Sequence, residues 1–169
     1  MPQALLTREE IAQAVNAVQQ AFVHIRHLRE TVPGGAFVQY PKIPSILSES
    51  WIAREIQEGR APLWQRRLVA RRGGAAADLL VAAPGGEAKL EVKATGSAGF
   101  QYFSTKDTNT DLLVWVNFAK FFEDPAHEAP IAYWLQRPGR FFPAATKITL
   151  TEFRRRCQGH LGEAPLSLL

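Results

Sequence analysis

Apolar residues recur every three or four positions over residues 8–30, the spacing that collects them on one face of an α-helix. The stripe consists of Ile11, Val15, Val18, Phe22, Ile25 and Leu28. Thr7 and Glu10 form a capping-box pattern at its start, and Pro33 marks its end because proline cannot continue a helix. The pattern therefore predicts a long amphipathic helix in the first part of the chain.

A second helical period begins at Ser45 or Ser48 and closes at Gly59. Its apolar positions are Ile46, Trp51, Ile52 and Ile56. Beyond it the chain changes to short apolar runs, which are typical of strands. These runs are residues 63–72, the two flanks of Pro84, residues 112–118 and residues 131–136. Thr149 and Glu152 repeat the capping pattern and predict a last helix, whereas residues 99–110 fit either a short helix or a loop.

This order of elements predicts an α/β fold with a central mixed β-sheet flanked by helices. With 169 residues, of which 46% are hydrophobic, the chain has the size and composition of one domain. We expect a single domain over residues 1–169, with its core at about 45–157. The last ten residues are expected to be poorly ordered.

The segment DLLVAAPGGEAKLEVKATG, residues 78–96, predicts a β-hairpin. Pro84 and Gly85 are residue types that tight turns favour, and they separate two apolar runs. If the turn centres on them, the pairing continues outward until Asp78 lies opposite Glu91. The hairpin then brings two carboxylates together in a mostly apolar setting.

Carboxylates that face each other destabilise a sheet by about 0.2–1 kcal/mol, and a cation between them reverses that sign. Such hard oxygen ligands suit magnesium, which takes one or two protein carboxylates and leaves its other positions to water and phosphate. Strand alternation adds Lys93 to the face that carries Glu91. The alternative is a solvated Glu-x-Lys pair of almost no energetic value. The apolar surroundings and the glycines that follow at 96 and 99 favour a functional site.

An Asp on one strand and a Glu-x-Lys on the next, with a helix before them and a buried strand after, resemble the PD-(D/E)xK nuclease superfamily. In this chain the motif is Asp78 followed by Glu91-Val92-Lys93, and the resemblance covers about residues 45–136. Ala77 stands where the pattern has proline, a position that varies within the superfamily. The resemblance implies a restriction-endonuclease-like core and a single nuclease domain.

The resemblance also implies a metal-dependent hydrolysis of phosphodiesters. Asp78 and Glu91 would hold one or two magnesium ions, for which manganese can substitute, and the metal would lower the pKa of a bound water and neutralise charge on the phosphate. Lys93 would position or deprotonate that water, or stabilise the transition-state oxygen. The sequence leaves these three roles open.

Many members carry a further acidic residue on the helix before the hairpin, and Glu49 and Glu55 are the candidates. They lie six residues apart and therefore on different helical faces. We favour Glu49 as a catalytic residue because it falls in the first turn of the predicted helix, whereas Glu55 can pair with a neighbouring arginine. The alternative for Glu49 is an acid favoured only by the helix dipole.

Substrate contacts are predicted at three positions. Gln101 lies eight residues beyond Lys93, and in some branches of the superfamily a glutamine near this place touches the site or the substrate; a plain surface position is the alternative. Arg71 and Arg72 belong to arginine clusters that suit a phosphate backbone, although such clusters are also common on solvated surfaces. The nearby aromatic residues, which either stack on bases or fill the core, are Phe100, Tyr102 and Phe103.

Charge and composition narrow the class of partner. The net charge of +4 and the pI of about 9.5 favour an anionic partner. A single cysteine, Cys157, excludes an internal disulfide, and neither a secretory signal nor an apolar run of about 18 residues occurs. We therefore expect a cytoplasmic protein with no membrane association. His24 and His27 have no acid or cysteine at a matching spacing and predict no metal site.

These features together favour a magnesium-dependent endonuclease that acts on double-stranded DNA, similar to a small type II restriction enzyme. That interpretation adds a homodimer cutting both strands of a palindrome and a cognate DNA methyltransferase as a partner. A junction-resolving or DNA-repair nuclease is the alternative within the same class. A catalytically inert nuclease-fold module for DNA binding or subunit interaction is the alternative outside it.

Overall fold

A computed structural model of the chain describes residues 4–60, 70–72, 77–96, 99–124, 126 and 128–167, with only the backbone described at 70–72. Helix α1 (Arg8–Thr31) has the predicted extent and capping box: the Thr7 hydroxyl accepts the Glu10 N–H, and the Glu10 carboxylate accepts the Thr7 N–H at 2.8 Å. A 3₁₀ turn (Gly35–Phe37) precedes helix α2 (Ser45–Gln57). No helix within the described ranges has both the length and the apolar composition needed to cross a membrane.

Strands make up most of the second half of the described chain. They are β1 (Ala70–Arg72), β2 (Leu79–Ala83), β3 (Gly86–Gly96), β4 (Phe100–Phe103), β5 (Leu112–Ala119), β6 (Ile131–Gln136), β7 (Thr146–Thr149) and β8 (Leu161–Pro165). Two short helices lie among them, α3 (Thr105–Thr108) after β4 and α4 (Leu150–Arg156) after β7.

Six of these strands form one mixed sheet in the order β1-β2-β3-β5-β6-β8. The β3–β5 pair is parallel, and the other neighbouring pairs described in this sheet are antiparallel. Because parallel neighbours need a crossover, the chain leaves the sheet between β3 and β5, and β4 and α3 lie in this connection. β4 pairs with β7 in a separate antiparallel ribbon. The predicted α/β fold with a mixed sheet flanked by helices is confirmed at this level.

The two faces of the sheet pack against different layers, as the alternation along β5 makes plain. Val114 and Val116 belong to a core cluster with α1 and α2, which also includes Trp51. Leu113 and Trp115 belong to a second cluster, formed with the β4–β7 ribbon and α4. The second cluster contains the following residues: Phe103, Tyr133, Leu135, Phe142, Ile148, Phe153 and the fully buried Cys157. The crossover therefore covers one face of β3, and α2 covers the other.

The structure bears on three local predictions. The expectation of a poorly ordered end is wrong for residues 161–165, because β8 pairs with β6 and the buried Leu166 donates its N–H to the Pro130 carbonyl at 2.8 Å. Residues 99–110, which fitted a helix or a loop, contain β4 and the single turn of α3. Of the strand predicted over 63–72, only 70–72 lie within the described residues, where they form β1.

Gly162→Ala is expected to destabilise the fold, because a Cβ at this position of β8 would lie 2.0 Å from the Trp134 indole. Trp134 is buried, so its ring or the β8 backbone has to shift, at a cost of about 1–3 kcal/mol. Chemical denaturation would measure the change. Gly96→Ala is the matched control, since its Cβ would have the Ala119 carbonyl oxygen as its nearest neighbour at 3.9 Å. Equal stability of the two variants would contradict the packing argument.

Candidate active site

The β2–β3 hairpin has the predicted register. Its pairing runs from Ala83 opposite Gly86 to Leu79 opposite Leu90. Gly85 has a φ of 87°, in the left-handed region that glycine adopts without strain. Continuing the register by one residue brings Asp78, immediately before β2, to the level of Glu91.

Asp78 is half-buried and is bound to the neighbouring strand by its side chain. Its Oδ2 accepts the backbone N–H of Val92 at 2.8 Å. This hydrogen bond crosses from the start of β2 to β3, so it fixes the carboxylate beside Glu91. The negative charge of Asp78 is one of the influences that oppose ionisation of Glu91.

Lys93 lies between two buried carboxylates. Its Nζ is 2.8 Å from Glu91 Oε1 and 3.1 Å from Asp107 Oδ2. On β5, Leu113 is aligned with Glu91 and Trp115 with Lys93. All four side chains are therefore on the same face of the sheet. This face is covered by the crossover, and α3 in the crossover therefore places Asp107 next to Lys93.

Asp107 is the acidic residue that the sequence did not single out. It is the N3 residue of a capping box in which its carboxylate accepts the Ser104 N–H at 2.8 Å and the Ser104 hydroxyl accepts its N–H. The Ser-x-x-Asp pattern in STKD was a usable signal for this helix start. Because α3 has only four residues, no helical periodicity accompanied that signal.

The surroundings shift the pKa values of Glu91 and Asp107 in opposite directions. Burial and the charge of Asp78 raise the pKa of Glu91 to about 7, against the opposing effect of Lys93. Burial also opposes ionisation of Asp107, but the Ser104 N–H, the Glu91 carboxyl and Lys93 outweigh it and lower the pKa of Asp107. Burial likewise lowers the pKa of Lys93 less than the two carboxylates raise it. Near neutrality the cluster therefore contains a charged lysine, an ionised Asp107 and a Glu91 close to half-protonated.

One oxygen of this cluster has no hydrogen-bond donor among the described residues when Glu91 is ionised. Glu91 is 5% exposed, and this oxygen is its buried Oε2. Asp78 likewise uses one of its two oxygens in the Val92 bond. Two carboxylates with spare oxygens fit magnesium, which needs no more than one or two protein ligands. Within the described residues, no group of three or more His, Cys, Asp or Glu side chains is arranged around a metal position.

Glu49 does not lie where the sequence placed it. Because α2 begins at Ser45, Glu49 falls in the second turn, and the prediction of a first-turn acid is wrong. It is buried in the helix that packs on the Leu90 and Val92 face of β3, opposite the face of Glu91. Its catalytic role remains a prediction.

Glu55 has the structural role that the sequence allowed for it. Arg8 donates to its Oε1 at 3.0 Å, and the Ser167 hydroxyl donates to its Oε2 at 3.1 Å. The carboxylate is buried and ties α1 and the chain beyond β8 to α2. Glu55 therefore holds the helical layer together.

Gln101 lies beside the candidate site. Its Nε2 donates to the carbonyl of Ala94, the residue after Lys93, at 2.6 Å. The bond fastens β4 over β3, and whether Gln101 also touches a substrate remains a prediction. The side chains of Arg71 and Arg72 lie outside the described residues, so their predicted phosphate contacts stay untested.

The candidate site lies between β3 and α3, and Glu91 and Asp107 are buried there. Two cavities open elsewhere, one of about 650 Å³ beside Lys106 and Gly139 and one of about 520 Å³ beside Arg137 and His160. Neither is lined by the acidic cluster.

Comparisons of the chain with protein-family models, with curated proteins and with solved structures gave no match. Its function has therefore to be inferred from its own side chains.

Asp107→Asn is expected to lower the pKa of Glu91 in the metal-free protein. The ionised Asp107 carboxylate accepts a hydrogen bond from the protonated Glu91 carboxyl and so helps to keep Glu91 protonated, whereas an asparagine amide would donate to the ionised form of Glu91. The Oδ1 of asparagine can accept the Ser104 N–H as the carboxylate does, so α3 should persist. NMR titration of the Glu91 side-chain carboxyl carbon measures the shift. Asp111→Asn, which alters a carboxylate bonded to the Lys89 N–H, is the control and should leave that pKa unchanged; an unchanged pKa in Asp107→Asn would contradict the proton-sharing geometry.

Proposed function

We propose that this protein is a magnesium-dependent endonuclease that hydrolyses DNA phosphodiester bonds, with a catalytic centre of the PD-(D/E)xK type. The observation that carries the proposal is the buried Oε2 of Glu91 beside Asp78 and Lys93, an oxygen that no described donor reaches when the carboxyl is ionised. Leaving such an oxygen unpaired costs about 1–3 kcal/mol or more, which a fold tolerates where a ligand completes the site. The basic net charge of +4 fits a polyanionic substrate.

Asp78 and Glu91 are the residues that would hold the metal. When bound, magnesium would supply a water of lowered pKa and neutralise charge on the phosphate. The Val92 N–H fixes the Asp78 carboxylate, and the raised pKa of Glu91 means that this side chain loses a proton as it takes up a cation. Activity should consequently rise through neutral pH as Glu91 ionises.

Lys93 acts in this proposal as a cation that stabilises negative charge on the phosphate. Its pKa is raised by Glu91 and Asp107, so it is protonated at neutral pH and is a poor base for removing a proton from water. The two carboxylates hold its ammonium in place at 2.8 and 3.1 Å. Such pre-set positioning is what makes electrostatic stabilisation of a transition state effective.

Cleavage of supercoiled plasmid by the wild-type protein, with magnesium and with EDTA, tests the proposal. Cutting that needs magnesium supports it, and discrete fragments would further support the restriction-type interpretation with a homodimer and a cognate methyltransferase. Preference for a four-way junction or a gapped duplex over linear DNA would favour the junction-resolving or repair alternative. Absence of cutting on plasmid, junction and gapped DNA would refute the nuclease.

A catalytically inert DNA-binding module is the second candidate, and a specific feature favours it. Lys93 already forms ion pairs with Glu91 and Asp107, so its ammonium offsets part of their negative charge without a metal. Calorimetric titration separates the two functions. Magnesium or manganese binding that disappears in Asp78→Asn supports the enzyme, whereas no binding at millimolar concentration supports the module.

A further inference from the structure

The β4–β7 ribbon has one face turned to the core and one turned to solvent. Phe103 and Ile148 point inward and are buried. The register pairs Phe100 with Thr149 and Tyr102 with Lys147, so these four share the outer face. All four are exposed, and the rings of Phe100 and Tyr102 are 53% and 57% exposed.

The outer face carries two large rings on β4 and a lysine on β7. Folding alone does not favour this combination. Exposed aromatic side chains forgo the burial that makes such residues stabilising. Lys147 lies over the Phe100 ring, with Nζ 3.6 Å from the centroid, so a positive charge is held against the aromatic surface. Aromatic platforms interleaved with positive charge are the chemistry that binds nucleic-acid strands.

The spacing of the rings selects the form of nucleic acid. Residues i and i+2 of a strand are about 6.6 Å apart, whereas neighbouring bases within a duplex are stacked about 3.4 Å apart. Phe100 and Tyr102 can therefore each receive one base only if the bases are unstacked and the strand is extended. Unpaired nucleotides meet that condition, and the bases inside a duplex do not.

We propose that the outer face of the β4–β7 ribbon binds an unpaired DNA segment, with Phe100 and Tyr102 stacking on two bases and Lys147 contacting the backbone phosphate. The identity of the partner as DNA rests on the proposed nuclease function. The inference deepens that function, because it assigns to the enzyme substrates with single-stranded segments, such as gaps, flaps and junction arms, in preference to an intact palindromic duplex.

The ribbon is connected directly to the candidate active site. β4 begins four residues after β3 ends, and the inward Gln101 amide bonds the carbonyl of Ala94, next to Lys93. Phe100 and Tyr102 flank Gln101 on the same strand and project to its other side. The ribbon that would hold the strand therefore lies against the part of β3 next to Lys93.

Equilibrium binding in EDTA tests the surface without any cleavage. Fluorescence anisotropy would follow a labelled single-stranded DNA of about 16 nucleotides, the upper end of the site size for one such platform, and a duplex of the same sequence. The double variant Phe100→Ala/Tyr102→Ala is expected to bind the single strand about 10- to 100-fold more weakly than wild type. Its affinity for the duplex should change by no more than about twofold.

Matched variants distinguish stacking from a general loss of apolar surface. Phe37 is 88% exposed in the turn after α1, so Phe37→Ala removes a more accessible ring outside the ribbon and should leave binding unchanged. Lys147→Gln should weaken single-strand binding and reduce the slope of log affinity against log salt by about 0.7–1, whereas the exposed Lys42→Gln should do neither. Thermal unfolding of each variant confirms that it is folded.

Several results would contradict the proposed binding surface. They are single-strand binding by the double variant equal to that of wild type, equal loss on Phe37→Ala, equal weakening of duplex binding, or a change in oligomeric state with unchanged DNA affinity. Failure of the nuclease is distinguishable from these. If the wild-type protein binds single strands through the ribbon but never cuts DNA with magnesium, the binding surface stands and the nuclease proposal fails. If the double variant binds and cuts like wild type, the nuclease proposal stands and the binding surface fails.

Discussion

Replacing Lys93 with alanine is expected to lower the rate of DNA cleavage by about 100- to 1,000-fold, the usual cost of removing one preorganised group that stabilises transition-state charge. The ammonium is held 2.8 Å from Glu91 and 3.1 Å from Asp107, so no other described side chain occupies its place between them. Single-turnover cleavage in magnesium, with enzyme in excess over plasmid, isolates this step from product release.

Lys89→Ala is the control for the Lys93 variant, because Lys89 is an exposed lysine on the same strand. Lys93→Ala also leaves two buried carboxylates without their cation, so its fold must be checked by circular dichroism at the assay pH. A folded Lys93→Ala protein that cuts at the wild-type rate would remove Lys93 from the catalytic machinery. Loss of cutting in Lys89→Ala as well would show a general charge effect.

Glu91→Gln is expected to abolish magnesium-dependent cleavage and, in the same protein, to raise stability above neutral pH. Cleavage is lost because the amide is a weak metal ligand and carries no charge. Stability rises because burial moves the pKa of Glu91 from 4.5 to about 7, a shift on the order of 3 kcal/mol between its protonated and ionised forms. Glutamine imitates the protonated form that the fold prefers.

The sign of this pH dependence follows from which state binds more protons. Between pH 4.5 and about 7 Glu91 is protonated in the folded chain and ionised in the unfolded chain, so its contribution to stability is complete below pH 4.5 and is lost as pH rises through 7. Melting temperatures measured in EDTA from pH 5 to 8 should therefore fall less steeply in Glu91→Gln. Glu87→Gln, an exposed change on the same strand, should retain the wild-type slope. A Glu91→Gln protein with that same slope would contradict the raised pKa.

The parts of the fold that the sequence predicts are those with local causes. The Thr7 capping box and the spacing from Ile11 onward define α1, and Pro84 with Gly85 defines the register that brings Asp78 level with Glu91. A turn determines the pairing of the strands it connects, so this juxtaposition follows from neighbouring residues alone.

The parts that the sequence does not predict depend on contacts between distant segments. Asp107 meets Lys93 only because the β3–β5 crossover folds back over the sheet. Residues 161–165 have few apolar side chains and become ordered through backbone pairing with β6, which no side-chain pattern records. The position of Glu49 relative to the acidic cluster likewise depends on which face of β3 packs against α2. Helical periodicity does not predict which face that is.

The burial of Cys157 has a practical consequence for labelling chemistry. It is the only cysteine of the chain, its side chain is fully buried under α4, and burial raises the pKa of its thiol to about 11. Thiolate is the species that reacts with maleimides, so the native protein should be almost inert to them at neutral pH. A single engineered cysteine at an exposed position, such as Lys106→Cys on α3, would then accept a fluorophore with no competing reaction and report directly on the segment that carries Asp107.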